Sequence, residues 1–301
     1  MTATVPGDTA LVERLLKSSA RHSYDPDVDL DWDAEPVPGL WWMQPERMSL
    51  YGTPLWDRLT EEQRITLSQH EVASIASVGL WFEIVLMQVL LKDVYRSDPT
   101  SPRTHYALTE IADECRHSTM FGRAIGRFGV PAYGPRKPLY NIAKIVPTVL
   151  RGPSAYAAIL LGEEPVDRWQ RDSMNDERLQ PLIRMVSRIH VLEEARHVTF
   201  ARDELEKSMG GLSRAELLWH QSIAAQAAYA TMRGLVHPEV YASVGIDPME
   251  GRRAALSNPH YRETIAWMGE KVVPYLDEQG LIPASGRNRR IWQASFLLRK
   301  D

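Results

Sequence analysis

The chain has 301 residues, 44% of them hydrophobic and 25% charged, enough apolar material for a sizeable core. Its formal net charge of −4 offers no electrostatic reason to expect nucleic acid or an anionic membrane as partner. Cys115 is the only cysteine, which excludes an intramolecular disulfide and a Cys-ligated iron–sulfur cluster within this chain. The opening MTATVPGDTALVERLL has neither the basic start nor the unbroken apolar stretch of a signal peptide. No apolar run approaches the roughly 20 residues of a membrane span, so the expected location is cytoplasmic.

In chain order, a short amphipathic helix is expected at about Thr9 to Arg21, followed by a proline-punctuated, aromatic-rich arm through Pro54. Its Trp and Met residues are expected to lie against the helical body. Thr60 and Gln63 have the spacing of a capping box, opening a helix that runs to about Tyr95 with Ala76, Leu80, Met87 and Leu90 at three- and four-residue steps. Further helices are expected at Arg103 to Phe128, Leu139 to Arg151, Ser154 to Arg171, Asp176 to Met209, Ser213 to Gly234, His260 to Gln279 and Arg287 to Lys300. No convincing run of alternating β-branched residues appears. The reading is one all-α domain over 1–301, a ferritin-like helical bundle core with additional helices, about eight in total. Residues 1–59 form the N-terminal helix and arm, 60–209 the long central helices and 210–301 the C-terminal helices.

Two distant segments resemble each other. Residues 113–117 read DECRH and residues 193–197 read EEARH, and both contain Glu-x-x-His in helical context. Helical residues three apart differ by about 60° around the axis, so Glu114 with His117, and Glu194 with His197, can each grip one cation. A lone motif of this kind is weak; two on long helices are not, because carboxylate-bridged bundles take one from each of two helices and a single Glu from each of the other two. Glu83 is the first candidate for a single Glu, being centred on the apolar stripe of Leu80, Met87 and Leu90, where an unpaired carboxylate is costly. Glu71, beside polar Gln69 and His70, is the runner-up, expected to support the site or face solvent. For the second, Glu163 shares a face with Ile159 and Val166, whereas Glu164 shares one with Asp167 and Arg168, which favours Glu163; Pro165 is expected to loosen the helix here. His190 lies four residues before Glu194 and seven before His197, on the same stripe.

The expected metal ligands are therefore Glu83, Glu114, His117, Glu163, His190, Glu194 and His197. Hard carboxylates with imidazoles and no sulfur suit two iron ions, with manganese as the alternative. Asp113 and Glu193 are placed to hold imidazole N–H groups from outside the ligand set. Arg116 and Arg196 could balance carboxylate charge, exposed surface arginines being the plainer expectation, and Cys115 points elsewhere.

This pattern resembles the diiron N-oxygenases typified by para-aminobenzoate N-oxygenase (AurF-type), the third histidine of H-x-x-x-E-x-x-H separating them from ordinary ferritin-like proteins. The stretch SLYGTPLWDRLTEEQRITLSQHE is similar to that family's entry into its first ligand helix, and the resemblance covers about Ser49 to Glu206. It implies an O₂-dependent monooxygenase that oxidises an amine, arylamine-like, at nitrogen. With no dinucleotide fingerprint in the chain, the electrons must come from an external donor, a reductase or small redox protein. A diiron hydroxylase or desaturase acting on a carbon chain is one alternative, and a ferritin-like ferroxidase or iron-handling protein the other. Tyr229, Met232 and Trp267 are compatible with an aromatic pocket, though core packing is their plainer role. Arg233, Arg287, Arg289 and Arg290 are candidates for holding a substrate carboxylate. A homodimer is left open.

Overall fold

The computed structural model describes residues 7–299. Six long helices organise it: α1 (Gly7–Arg21), α2 (Glu61–Val94), α3 (Pro102–Phe128), α4 (Pro153–Ser173), α5 (Pro181–Ser208) and α6 (Arg214–Gly234). Among the described residues there is no strand, only an isolated bridge between Trp41 and Leu179. The chain is all-α, as its periodicity predicts.

Local chemistry explains the helix ends. Thr60 caps α2 with both halves of the expected capping box, its hydroxyl accepting from the Gln63 N–H while Gln63 accepts from the Thr60 N–H. Ser213 and Glu216 repeat the device on α6. Prolines open α3, α4 and α5 at the first helical turn, where a missing N–H costs nothing. Pro165, by contrast, lies inside α4, and the helix continues through it to Ser173 rather than loosening.

Several expected boundaries move. Leu139 to Arg151 is two short helices, Lys137–Ala143 and Val146–Val149, with Pro147 at the start of the second. The fifth helix begins at Pro181, not Asp176, because residues 174–180 turn to pair with the arm at Trp41. His260 to Gln279 divides into Pro259–Met268 and Val272–Glu278, and a helix at Pro248–Ser257 was not expected. These short pieces raise the helix count above eight.

The bundle core pairs α2 with α3 and α4 with α5, and the pairs close through α3 against α5 and α2 against α4. Short connections make each pair antiparallel neighbours. α1 lies across α3 and α5, while α6 covers α4. The arm packs as expected: Trp32, Trp42, Met48, Leu50 and Trp56 are buried in the main core.

One expectation needs correcting. Among the described residues, α2 is long and apolar enough by composition to cross a membrane, its most apolar window reaching a mean hydropathy of 1.9. The helix is instead a wall of the bundle, and it buries the carboxylates of Glu71 and Glu83.

Candidate metal centre

The structure brings the seven expected ligands together at the middle of the bundle. α3 supplies Glu114 and His117, α5 supplies His190, Glu194 and His197, and α2 and α4 add Glu83 and Glu163. They form three overlapping buried groups whose donor atoms lie within 4.8 Å of one another: Glu114–His117–Glu194–His197, Glu83–His117–His190 and Glu163–His190–Glu194. His117 Nδ1 is 3.3 Å from both Glu114 and Glu194, and His197 Nδ1 is 3.0 Å from Glu114 and 3.1 Å from Glu194. His190 Nε2 is 3.5 Å from both Glu83 and Glu194.

The ring nitrogens facing away from this centre all have acceptors. His117 Nε2 donates to Glu193 at 2.8 Å, and His197 Nε2 lies 3.2 Å from Asp113. The acidic residue preceding each motif thus holds the histidine of the other helix, which no reading of one helix alone reveals. His190 Nδ1 is 2.7 Å from Gln170 Oε1 on α4. Such partners fix tautomer and ring plane, leaving the inner nitrogen with a lone pair for a metal.

Charge follows the same geometry. Burial alone would push His117 and His197 below their ordinary values, but surrounding carboxylates outweigh it and hold both well above. Burial raises Glu83 to about 7 and, reinforced by Glu194, Glu114 and Glu83, pushes Glu163 well up. Burial also works against charge on Glu194, yet His197 and His190 hold it well below the usual range. Without metal, protons and imidazolium must balance the carboxylates.

The residues fit a metal pair. Glu114 Oε1, Glu163 Oε1, Glu194 Oε2 and His190 Nε2 are buried without hydrogen bonds. Glu114 Oε1 lies 3.0 Å from His197 Nδ1, but without hydrogen-bond geometry. Each orphan costs about 1–3 kcal/mol unless something else satisfies it. Four carboxylates with neutral imidazoles carry a charge that two divalent ions would cancel.

Glu164 turns away from the centre, as its polar face of α4 predicts, its carboxylate taken by Arg202 at 2.6 and 2.9 Å. Other residues fall differently from expectation. Glu71 is neither at the centre nor at the surface: it is fully buried against Ser49, which also meets the Tyr241 hydroxyl. The arm that covers it was invisible to a helix-face argument. Arg196 is buried rather than exposed, near Asp113 and Glu193 and donating to the His22 carbonyl, while half-buried Arg116 pairs with Asp113. Cys115 is exposed, near Met87.

Four participants were missed: Gln170; Ser118, whose hydroxyl donates to Glu83 at 2.7 Å; Tyr24, whose N–H donates to Glu193 at 3.0 Å; and Glu110. Glu110 is buried one turn before Glu114, with one oxygen unpaired, and burial raises it to about 8. Spacing could have found it, since 110–114–117 repeats 190–194–197.

Fold and site define an all-helical, carboxylate- and histidine-rich bundle of the two-metal type. Over residues 6–280 the chain matches the family described as P-aminobenzoate N-oxygenase AurF, and it belongs to that family, one of diiron-dependent oxygenases. Relatives from Mycobacterium bovis and from two strains of Mycobacterium tuberculosis, all uncharacterized proteins, are each 31% identical over 230 residues. That stretch covers 71% of this chain, and the chain spans 66% of the length of these relatives.

Proposed function

We propose that the chain is a non-haem diiron monooxygenase that uses O₂ to oxidise an amine nitrogen, with Glu83, Glu114, His117, Glu163, His190, Glu194 and His197 as its metal ligands. The convergence of these seven buried donors, four of them with orphaned atoms, carries the reading. Two bound ferrous ions would supply the paired electrons that sluggish triplet O₂ requires. The chain's own part is to hold that chemistry in place. Glu193, Asp113 and Gln170 orient the three imidazoles, and Ser118 holds one Glu83 oxygen. The first oxidation balances as R–NH₂ + O₂ + 2e⁻ + 2H⁺ → R–NHOH + H₂O, the electrons coming from an external reductase or small redox protein.

The test is anaerobic reconstitution with ferrous iron, counting metal by mass spectrometry, then addition of O₂, a reductant and an arylamine. About two irons per chain and an amine product heavier by one oxygen are expected. Fewer than one iron per chain, or O₂ consumption with no organic product, would overturn it. His190→Ala should lower iron occupancy; unchanged occupancy removes His190 from the ligand set.

A further inference from the structure

A cavity of about 50 Å³ lies against Glu83, Glu163 and His190, between α2, α4 and α5. Apart from those three and the Trp169 indole N–H, which Gln44 accepts, the polar side chains among the described lining residues are Gln170 and Ser187, and neither carries a charge. Gln170 is bonded to His190, and Ser187 lies one turn before His190 on α5. The remaining wall is apolar, including Ala76, Phe82, Phe121, Val166, Trp169 and Val186. No Lys or Arg is among the described lining residues, and Arg233, Arg287, Arg289 and Arg290 are elsewhere. Two arginines of α4 point away and are engaged, Arg168 with Asp172 and Glu270, Arg171 with Asp167.

An aminobenzoate entering with its nitrogen toward the cluster would carry its carboxylate into that apolar end. A buried anion there meets no Lys or Arg among the described lining residues, only the neutral Gln170 and Ser187 side chains, and four glutamates lie behind it. An uncharged arylamine meets no such penalty. Size adds a second constraint, because even a cavity that holds benzene is on the order of 150 Å³. Room must be made, and one side chain is placed to make it. The half-buried Phe82 ring lies directly on Gly162, where any Cβ would overlap it. Displacing the ring would open the cavity between α2 and α4.

We propose that this cavity admits an uncharged, carboxylate-free arylamine, with Phe82 moving off Gly162 to let it in. The inference rests on the reading of the seven-residue cluster as the oxidising centre, but its test does not need turnover. Binding of 4-methylaniline and of 4-aminobenzoate, molecules of the same shape differing in charge, is measured by calorimetry on the full chain, anaerobically, with and without ferrous iron. 4-Methylaniline should bind at least tenfold more tightly, about 1.4 kcal/mol. Ala76→Arg, on the Glu83 face of α2, should shrink that ratio at least fivefold, and Phe82→Ala should speed association of 4-methylaniline at least threefold. Equal or tighter binding of 4-aminobenzoate to the wild type, or binding of neither, overturns the proposal. Metal counting separates the two readings. A preference for 4-methylaniline in a chain that fails to load iron sinks only the oxidising centre, whereas two irons with the preference reversed sinks only the substrate class.

Discussion

Glu193→Gln tests whether the residues behind the imidazoles hold the metal centre. The wild-type carboxylate is fully buried and accepts from two donors, His117 Nε2 at 2.8 Å on one oxygen and the Tyr24 N–H at 3.0 Å on the other. Glutamine preserves the shape but has one acceptor oxygen. Its amide nitrogen must therefore face one of these N–H groups, leaving a buried donor unpaired at a cost of about 1–3 kcal/mol to the metal-free fold. It also removes the negative charge that makes His117 Nδ1 a strong donor, for which a tenfold to hundredfold loss of metal affinity is typical, roughly 1.4–2.7 kcal/mol. Anaerobic competition against a chelator measures the affinity, and urea unfolding the stability. Glu164→Gln is the control, because Glu164 pairs with Arg202 outside the cluster. It should cost about 1–2 kcal/mol of stability and leave iron affinity within twofold. A folded Glu193→Gln protein that binds iron as tightly as the wild type would refute the reasoning.

Three further outcomes are expected. Glu71 is raised by burial from its ordinary value of 4.5 to about 7, so the folded state holds its proton more tightly than the unfolded one. Its stabilising contribution is therefore present at low pH and lost as pH rises from 4.5 through 7, on the order of 3 kcal/mol, and Glu71→Gln should lessen the loss of stability between pH 5 and 8 in urea unfolding by up to that amount. If the wild type and variant share one pH profile, the assignment is wrong. Gly162→Ala drives a Cβ into the Phe82 ring and should destabilise the metal-free chain by about 1–3 kcal/mol, an effect that Phe82→Ala in the same chain relieves; additive costs would contradict the contact. Chelation should lower thermal stability, since each ion at a hundredfold excess over its dissociation constant contributes about 2.7 kcal/mol, and superimposable melting curves with and without ferrous iron would count against a metal site.

Legibility in the sequence followed the range of the physics. The capping box at Thr60, the long helices and both Glu-x-x-His motifs depend on residues three or four apart, and helix geometry alone fixes their relation. Glu163 was separable from Glu164 because the apolar face of α4 is itself a local pattern. Helix breaks at Pro147 and before Pro181 were harder, since there the arm and neighbouring helices compete with local propensity. Arg196 and Glu71 were misjudged for a related reason, as both are covered by segments more than 20 residues away in sequence.

By itself, then, the sequence determined that the chain is helical and that seven carboxylate and imidazole side chains sit on inward stripes, five of them at Glu-x-x-His or His-x-x-x-Glu spacing, because the helical repeat is a property of the backbone. Tertiary structure alone decided which acceptor orients each imidazole: Glu193 for His117, Asp113 for His197 and Gln170 for His190. It also decided that the cavity beside Glu83 and Glu163 has no Lys or Arg among its described lining residues. Those facts depend on which helix faces which, and that choice is made by packing whole apolar surfaces together rather than by any spacing along one of them.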